Sequence, residues 1–221
     1  MDADKQVHET ESVTGVVLAG GQNRRMGGQV KAFLAVEGES FLLRQVKEMA
    51  GSCSEILIVT QNPPLYAAAL ESGGDKDWPV TVRIVPDLVP ARGPLGGLHS
   101  ALHTAKSDLL WVVGCDMPLI SSRAAGELVK ILRRTGAAAA VPRIGGKVHP
   151  LHGIYRKDIL PQVEQMLEAG DYRMMGVFQL TAWEAVDEVV WNKLGVTLEF
   201  VRNINTPDEY DELLRDCSLF P

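Results

Sequence analysis

Short apolar runs alternate with longer amphipathic segments along most of this chain. Apolar runs that end in glycine or polar residues predict buried strands, and apolar side chains spaced three and four residues apart predict helices. Strands are predicted at residues 13–18, 55–60, 80–85, 109–113, 137–141, 148–155 and 196–203. Helices are predicted at residues 41–50, 63–70, 94–105, 124–132, 158–169 and 206–214.

Strands that are separated by helices predict βαβ units, whose right-handed crossovers place the strands parallel in one sheet. A glycine turn at 144–147 lies between two apolar runs and predicts an antiparallel strand. We therefore expect an α/β fold with three αβα layers, Rossmann-like, whose sheet is mostly parallel with an antiparallel strand. This single domain would span residues 13–221, behind a flexible, polar leader at residues 1–12.

Composition narrows the functional classes. The chain has 221 residues, with 22 Lys and Arg against 28 Asp and Glu and a net charge of −6. This balance argues against a nucleic-acid-binding protein, which relies on a broad basic surface. The three cysteines lie far apart and form no disulfide framework, as is typical of a reducing compartment. No apolar run approaches the roughly 18 residues of a membrane span, and the leader lacks the apolar core of a signal peptide. We therefore expect a cytoplasmic protein without a membrane partner.

Ligands of open α/β sheets bind beyond the carboxyl ends of the strands, and four unusual segments follow predicted strands here. The first is a glycine-rich loop in which backbone N–H groups would form an anion-binding nest. Its residues of interest are Leu18, Ala19, Gly20, Gly21, Arg24, Arg25 and Lys31. The spacing matches neither the P-loop nor the GxGxxG motif, so a surface loop with solvated arginines is the alternative.

The second segment runs from Asp87 to Gly97 and places several glycines around Pro94, at a predicted helix start. Unpaired N–H groups at a helix start favour an anionic ligand. Asp87, just past a strand, is placed to accept hydrogen bonds from a base or ribose. A turn followed by a helix cap is the alternative.

The third segment puts Asp116 directly after a buried strand. Mg²⁺ is typically held by one or two carboxylates together with substrate phosphates, so Asp116 is a candidate magnesium ligand. An Asp that caps the next helix is the alternative, although Ser121 and Ser122 are better placed for capping. Cys115 is expected to be buried and inert, because no histidine is obviously paired with it.

The fourth segment contains Asn203 and Asn205, which share one face at strand spacing and are candidates for contacting a polar ligand. Thr206 and Glu209 form a capping box that begins the last helix.

Two pairs of histidines carry weaker signals. His99 and His103 stand at i, i+4 on one helix, but no Glu follows as in an HExxH motif, so we expect a solvated face. His149 and His152 are expected on opposite faces of a strand, where one of them would line the pocket.

Several of these segments match one enzyme family in order and spacing, from about residue 13 to about residue 214. The matching motifs are Leu18-Ala19-Gly20-Gly21, Arg24-Arg25-Met26-Gly27 with Lys31, Gly93-Pro94-Leu95 with Gly97, Cys115-Asp116-Met117-Pro118, His149 to Tyr155, and Asn203 with Asn205-Thr206-Pro207. Together they resemble the molybdenum cofactor guanylyltransferases. The resemblance implies a nucleotidyltransferase fold, with Mg²⁺ as cofactor and with GTP and molybdopterin as substrates. It also implies transfer of GMP from GTP to the terminal phosphate of molybdopterin and release of pyrophosphate.

The resemblance further implies roles for individual residues. Nucleotide binding falls to Leu18, Ala19, Gly20, Gly21, Lys31, Thr60, Asp87 and Asp116. Lys31, Asp116 and Arg25 would be the catalytic residues, and Asp116 would also be the metal ligand. The second substrate would lie near Asn203, Asn205 and His149. Accessory proteins of cofactor assembly, or recipient molybdoenzymes, would be the protein partners.

Two positions depart from the family pattern. Val30 stands where an Asp usually precedes the lysine, and Thr60 stands where an Asn commonly ends the second strand. Alternatives of the same fold are a cytidylyltransferase and a sugar-phosphate nucleotidyltransferase. The alternative of another class is a catalytically degenerate nucleotide-binding protein, for which Val30 is the only support in the sequence.

Overall fold

The computed structural model describes residues 12–20, 30–72 and 78–218, which form alternating strands and helices. The strands are β1 (Val13–Leu18), β2 (Ala35–Val36), β3 (Glu39–Ser40), β4 (Glu55–Thr60), β5 (Thr81–Pro86), β6 (Leu109–Gly114), β7 (Ala139–Ile144), β8 (Lys147–Val148), β9 (Gly153–Arg156) and β10 (Trp183–Asp187). The helices are α1 (Phe41–Ala50), α2 (Pro63–Ser72), α3 (Gly93–Thr104), α4 (Ser122–Thr135), α5 (Leu160–Glu168), α6 (Val177–Leu180), α7 (Glu188–Leu194) and α8 (Pro207–Ser218).

The main sheet has the strand order β10-β7-β9-β6-β1-β4-β5, and β8 pairs with β7. β9 runs antiparallel to both of its neighbours, whereas the other pairs along this path are parallel. β2 and β3 form a separate antiparallel ribbon. The predicted sheet, mostly parallel with an antiparallel strand inside it, is confirmed.

Helices cover both faces of this sheet. On one face, α1 and α4 pack through Leu42, Leu128 and neighbouring apolar side chains. On the other face, α3 and α5 pack through Leu98 and Val163. β4 and β6 are buried along their whole length, which is why their sequences are nearly continuous apolar runs. The predicted three-layer αβα arrangement is therefore confirmed.

Serine side chains fix where two helices begin. Ser121 Oγ accepts a hydrogen bond from the N–H of Ala124 (3.2 Å) at the start of α4, and Ser40 Oγ accepts one from Leu43 (3.3 Å) at the start of α1. These bonds satisfy N–H groups that a helix start leaves unpaired. Since Ser121 caps α4, Asp116 does not have that role.

The last predicted strand, at residues 196–203, is wrong. This segment contains a short 3-10 helix at Leu198–Val201 instead. Phe200 packs against Trp191 and His152, so the segment fills the core without entering the sheet. The position beside β7 is taken by β10, which was not predicted because its sequence, Trp-Glu-Ala-Val-Asp, has one β-branched residue.

The strand predicted at residues 148–155 is interrupted. β8 ends at Val148 and β9 begins at Gly153. Pro150 lies between them and has no N–H for a strand ladder, and His152 adopts a left-handed φ of 69°. His149 and His152 therefore lie in a turn, not on opposite faces of one strand. The other predicted elements are present with ends shifted by a few residues.

The solvated face predicted for the histidines of α3 is wrong for His99. Its side chain is only 12% exposed, and His103 Nε2 lies 3.1 Å from Glu164 Oε1 on α5. The pattern within α3 alone did not indicate which distant helix covers this face.

Residues 1–11 of the predicted leader lie outside the described residues. Ser12, its last residue, places its Oγ 2.9 Å from Ser107 Oγ. Within the described ranges, no helix combines the length and apolar character that crossing a bilayer requires.

Candidate active site

The carboxyl ends of β1, β4 and β6 lie side by side. Leu18 at the end of β1 pairs with Val59 of β4 and with Gly114 of β6. Main-chain hydrogen bonds extend this alignment, from Ala19 N to Val59 O (2.8 Å) and from Cys115 N to Leu18 O (3.1 Å). The loops that follow these strands therefore meet at one edge of the sheet, where ligands of this fold class bind.

Three polar side chains from distant parts of the chain meet at this edge. Lys31 Nζ donates to Asp116 Oδ2 (3.2 Å) and to Asn205 Oδ1 (2.7 Å). The side chain of Lys31 is 15% exposed and that of Asp116 is 23% exposed. Both groups therefore reach solvent, while their mutual attraction is only partly screened. We call Lys31, Asp116 and Asn205 the Lys–Asp–Asn cluster.

A short 3-10 helix, Lys31–Phe33, carries the lysine of this cluster. The N–H of Phe33 donates to Val30 O (2.9 Å). Ala32 is buried and Val30 packs against the main core. The backbone on both sides of Lys31 is thus anchored, which fixes where its long side chain begins.

The carboxylate of the cluster is held by the fold around it. Buried Gln45 of α1 donates from Nε2 to the carbonyls of Gly114 (2.7 Å) and Met117 (2.8 Å). The N–H of Ile204 donates to Asp116 O (2.9 Å) and ties the chain before α8 to this loop. A Cβ on Gly114 would lie 2.6 Å from Asp116 Oδ1, so a larger residue at this position would displace the carboxylate.

Asp87 approaches the same edge from β5. Its N–H donates to Thr60 O (3.0 Å), and its Oδ1 accepts from Val89 N (3.1 Å) and Ser100 Oγ (3.4 Å). Its second carboxylate oxygen, Oδ2, lies 3.7 Å from the position that a Cβ on Gly20 would occupy. Asp87 therefore lies beside the start of the loop that follows β1.

The N-terminus of α3 packs closely against the end of β1 because it carries glycines. A Cβ on Gly97 would lie 3.0 Å from Leu18 Cδ2, and a Cβ on Gly96 would lie 2.7 Å from Val89 O. Arg92 at the N-cap makes no side-chain capping bond. The first N–H groups of α3, with their partial positive charge, suit a phosphate at this position.

One family of enzymes shares this arrangement of sequence motifs. The family model described as "MobA-like NTP transferase domain" matches residues 15–186, which include Lys31, Asp87 and Asp116. The chain belongs to this family. It is therefore a nucleotidyltransferase, as the sequence resemblance implied.

Curated relatives match this NTP transferase over nearly its full length. The molybdenum cofactor guanylyltransferase of Syntrophotalea carbinolica is 30% identical over 200 residues, which cover 90% of each chain. The probable molybdenum cofactor guanylyltransferase of Pelotomaculum thermopropionicum is 34% identical over 198 residues, which cover 89% of each chain.

Solved structures show the same fold. The crystal structure of molybdopterin-guanine dinucleotide biosynthesis protein A from Archaeoglobus fulgidus has a TM-score of 0.76 at 22% identity, and the match covers 94% of this chain and 100% of that chain. The CTP complex of CMP:2-keto-3-deoxy-manno-octonic acid synthetase has a TM-score of 0.71 at 12% identity, with 94% and 99% of the two chains covered.

Thr60 holds the backbone of this NTP transferase in place at Ala19, the first residue after β1. It is buried, and its hydroxyl donates to Ala19 O (3.3 Å), which also accepts from the hydroxyl of Tyr66 (3.4 Å). Thr60 Oγ1 in turn accepts from the N–H of Asn62 (3.2 Å). Thr60 therefore acts on the site through the backbone at Ala19, and its side chain does not face the open edge.

The residues predicted to face a second substrate are not all together. Asn205 belongs to the Lys–Asp–Asn cluster, and it lies in an irregular segment instead of on a strand face shared with Asn203. Asn203 Oδ1 is buried without a hydrogen-bond partner among the described residues. His149 lies half-buried in the turn before β9, where burial and the charge of Lys147 lower the pKa of its ring.

Two buried polar residues have roles that were not predicted: Gln45 holds the Asp116 loop, and His152 is a core residue instead of a pocket residue. Gln45 stands on the apolar stripe of α1, and a polar residue on such a stripe was the available signal. His152 accepts a hydrogen bond from the N–H of Ser121 at its Nε2 (3.0 Å), and burial lowers the pKa of His152 to about 3. It is therefore a neutral structural residue at neutral pH.

Cys115 is buried, and burial raises the pKa of its thiol to about 12. The prediction that Cys115 is buried is confirmed, and a raised thiol pKa is what an inert cysteine requires, since the thiolate is the nucleophilic form. Gly21 and Arg25, which the sequence analysis also assigned to the site, lie outside the described residues.

Proposed function

We propose that this NTP transferase transfers GMP from GTP to the terminal phosphate of molybdopterin, forming the guanine dinucleotide of the cofactor and pyrophosphate. The Lys–Asp–Asn cluster carries the proposal, because it presents a cation and a carboxylate where the ends of β1 and β6 meet. The names of the curated relatives support the choice of nucleotide and acceptor.

The proposed reaction needs little covalent chemistry from the protein. An oxygen of the acceptor phosphate attacks the α-phosphorus of GTP, and a new P–O–P linkage forms. The bond from the α-phosphorus to the oxygen bridging to the β-phosphate breaks, and its electron pair leaves with pyrophosphate. Because the attacking group is already an anion, no general base is required, and catalysis rests on positioning and charge stabilisation.

In this proposal, Lys31 stabilises negative charge that develops on the phosphates. Its two oxygen partners, Asp116 and Asn205, hold its ammonium group at the strand ends. Backbone groups at Leu18 to Gly21 contact the nucleotide, and N–H groups at the start of α3 bind phosphate oxygens. Arg25 would add a further cation from the same loop.

The donor set at Asp116 fits Mg²⁺. Carboxylate oxygens are the ligands that Mg²⁺ prefers, and it commonly takes only one or two of them together with substrate phosphates. Asp116 is partly exposed, and its Oδ1 faces the space left by the missing side chain of Gly114. The ion, when bound there by Asp116, would neutralise phosphate charge.

Asp87 is proposed to bind the nucleoside through Oδ2, because Oδ1 is already engaged with Val89 and Ser100. Thr60 contributes by holding the Ala19 carbonyl in place.

The acceptor is proposed to lie on the side of Asn203, Asn205 and His149. The turn that contains His149 packs against β6, since Leu151 Cδ1 lies 3.2 Å from the Cβ position of Gly114. Asn203 Oδ1 is buried and has no hydrogen-bond partner among the described residues, so a change in this segment when the acceptor binds could supply one.

The alternative of a nucleotide-binding protein that has lost catalysis was based on Val30 alone. In the structure, this side chain packs against the core at the start of the 3-10 helix that carries Lys31. An apolar residue at this position therefore has a structural role, and it is compatible with a catalytic role for Lys31. The active enzyme is the better-supported proposal.

The proposal is tested in two steps. GTP, CTP, ATP and UTP are each added to the full chain, with and without Mg²⁺, and the unfolding temperature is measured. A ligand at about a hundredfold excess over its Kd should stabilise the native state by about 2.7 kcal/mol. We expect the largest shift with GTP and Mg²⁺.

The second step follows pyrophosphate release and the mass of the product when molybdopterin is added. The guanine dinucleotide with an equivalent of pyrophosphate supports the proposal. A cytosine dinucleotide would identify the cytidylyl alternative, and GTP binding without pyrophosphate would identify a binding protein that has lost catalysis.

A further inference from the structure

Two histidines of α3 and one glutamate of α5 form a compact cluster on the face of the sheet that these two helices cover. Nitrogen atoms of His99 and His103 and a carboxylate oxygen of Glu164 all lie within 4.8 Å of one another. We propose that His99, His103 and Glu164 bind a divalent transition-metal ion such as Zn²⁺. This inference does not depend on the proposed transfer reaction.

The two distances to Glu164 are close to those expected around a single ion. Ligand atoms about 2.0–2.1 Å from a tetrahedral Zn²⁺ lie roughly 3.3 Å from one another. Glu164 Oε1 lies 3.1 Å from His103 Nε2 and 3.8 Å from His99 Nε2. His99 and His103 stand one turn apart on α3, and their ring centroids lie 4.6 Å apart, so a rotation of the exposed His103 side chain would bring both rings within reach of one ion.

The protein alone does not satisfy His99. Its Nε2, the atom that faces Glu164, lies 3.8 Å from Glu164 Oε1, beyond hydrogen-bond distance. Its side chain is 12% exposed, whereas those of His103 and Glu164 are 42% and 44% exposed. An ion therefore has an open path from solvent to a ring that is otherwise poorly paired.

The ligand set selects the class of metal. Two imidazoles and one carboxylate suit Zn²⁺ and similar transition metals, whereas Mg²⁺ prefers sites made of oxygen. The site is therefore chemically distinct from the carboxylate of Asp116. Three protein ligands would leave the fourth tetrahedral position to water.

The position of the cluster predicts what the ion does. It would join α3 to α5, which are distant in sequence and otherwise meet through apolar side chains. Ser100, the neighbour of His99, donates to Asp87 Oδ1 (3.4 Å). The ion would thus stiffen the helix whose first turn packs against the end of β1.

The test uses the untagged full chain, stripped with a chelator. Zn²⁺ is titrated in competition with a chromophoric chelator, and Co²⁺ is added separately to record its visible absorption. We expect one tight Zn²⁺ per chain, a Co²⁺ spectrum typical of low coordination number, and no competition from excess Mg²⁺.

Variants distinguish Zn²⁺ binding at this cluster from nonspecific Zn²⁺ binding elsewhere on the surface. His103→Ala and Glu164→Gln should each weaken Zn²⁺ binding by more than the about 10- to 100-fold that loss of an outer hydrogen-bond partner costs. Glu168→Gln removes an exposed carboxylate one turn further along α5 and should leave Zn²⁺ affinity unchanged. Zn²⁺ should raise the unfolding temperature of the wild type and of Glu168→Gln, but not of His103→Ala.

Absence of stoichiometric Zn²⁺ binding by the wild type would overturn the proposal and leave a hydrogen-bonded His–Glu cluster only. Equal affinity in His103→Ala and the wild type would overturn it too. Circular dichroism of each variant checks that the fold is kept, which we expect because the altered side chains are partly exposed.

Discussion

Lys31 and Asn205 are separated by 174 residues in the sequence, yet Lys31 Nζ donates a 2.7 Å hydrogen bond to Asn205 Oδ1. The bond joins the loop after β1 to the segment before α8. It gives the lysine a second oxygen partner besides Asp116, and so holds the ammonium group at the strand ends.

Asn205→Ala should therefore lower the rate of nucleotidyl transfer while the chain remains folded. A hydrogen bond to a charged group contributes about 1.5–3 kcal/mol, so kcat/KM should fall about ten- to a hundredfold. Steady-state kinetics measure this. Asn192→Ala, at an exposed position of α7, is the matched control, and an equal loss in both variants would remove the special role of Asn205.

Asp116→Asn should remove the dependence of transfer on Mg²⁺. The amide keeps the size of the carboxylate but lacks its charge, and a divalent ion contributes several kcal/mol to stabilising phosphate charge in such reactions. We expect kcat/KM to fall at least about a hundredfold. Activity is measured across a Mg²⁺ titration, with Asp108→Asn, at the exposed opposite end of β6, as control. Retention of Mg²⁺-dependent activity in Asp116→Asn would exclude the metal role.

Gly97→Ala should destabilise the chain and weaken nucleotide binding. The added Cβ would lie 3.0 Å from Leu18 Cδ2, so the packed Leu18 side chain must move by a few tenths of an ångström, and crowding of this kind costs about 1–3 kcal/mol. Urea unfolding and the KM for GTP report the two effects.

Gly126→Ala in α4 is the matched substitution for that test, because a Cβ there meets nothing within 4 Å. It should stabilise the chain by about 0.5–1 kcal/mol through helix propensity. If both alanines destabilise the chain equally, close packing of α3 on β1 is not the cause.

The buried imidazole of His152 should make the fold sensitive to mild acid. Burial lowers the pKa of His152 to about 3 in the native state, whereas the unfolded side chain has a pKa near its usual value of about 6.5. Between these values the unfolded chain binds the extra proton, so stability is fully present above about pH 6.5 and falls as the pH drops, by up to about 1.4 kcal/mol per pH unit.

Urea unfolding at pH 7.5 and pH 5.5 measures this slope. His152→Asn keeps a side chain that tolerates the left-handed backbone at this position, and it should reduce the slope even if it lowers stability at neutral pH. An unchanged slope in this variant would assign the acid sensitivity to other groups.

Much of this architecture was predictable because local patterns and the fold agree. β1, β4 and α1 have the predicted bounds, since their apolar spacing matches their burial along the whole element. Lys31 and Asp116 were predicted from residue types that phosphate and metal binding require, and the order of parallel strands brings their loops together.

The parts that were not predicted depend on long-range packing. Residues 196–203 have a composition typical of a strand, but the side chain of Phe200 packs in the core against Trp191 and His152. The hydrogen bonds of Gln45 to two carbonyls of the Asp116 loop, and the approach of Glu164 to the histidines of α3, involve partners that no local pattern specifies.

The reversed direction of β9 has a consequence for how enzymes of this fold diversify. Because β9 starts at the edge where β6 ends, with Gly153 paired to Val112, the turn before it opens beside Asp116. The residues proposed to bind the nucleotide lie between Leu18 and Asp116, and the turn before β9 follows them in the chain. With the acceptor placed beside this turn, as proposed above, exchanges in the turn would alter which acceptor fits without replacing the residues proposed to bind the nucleotide, so one substrate of the reaction could change at a time during evolution.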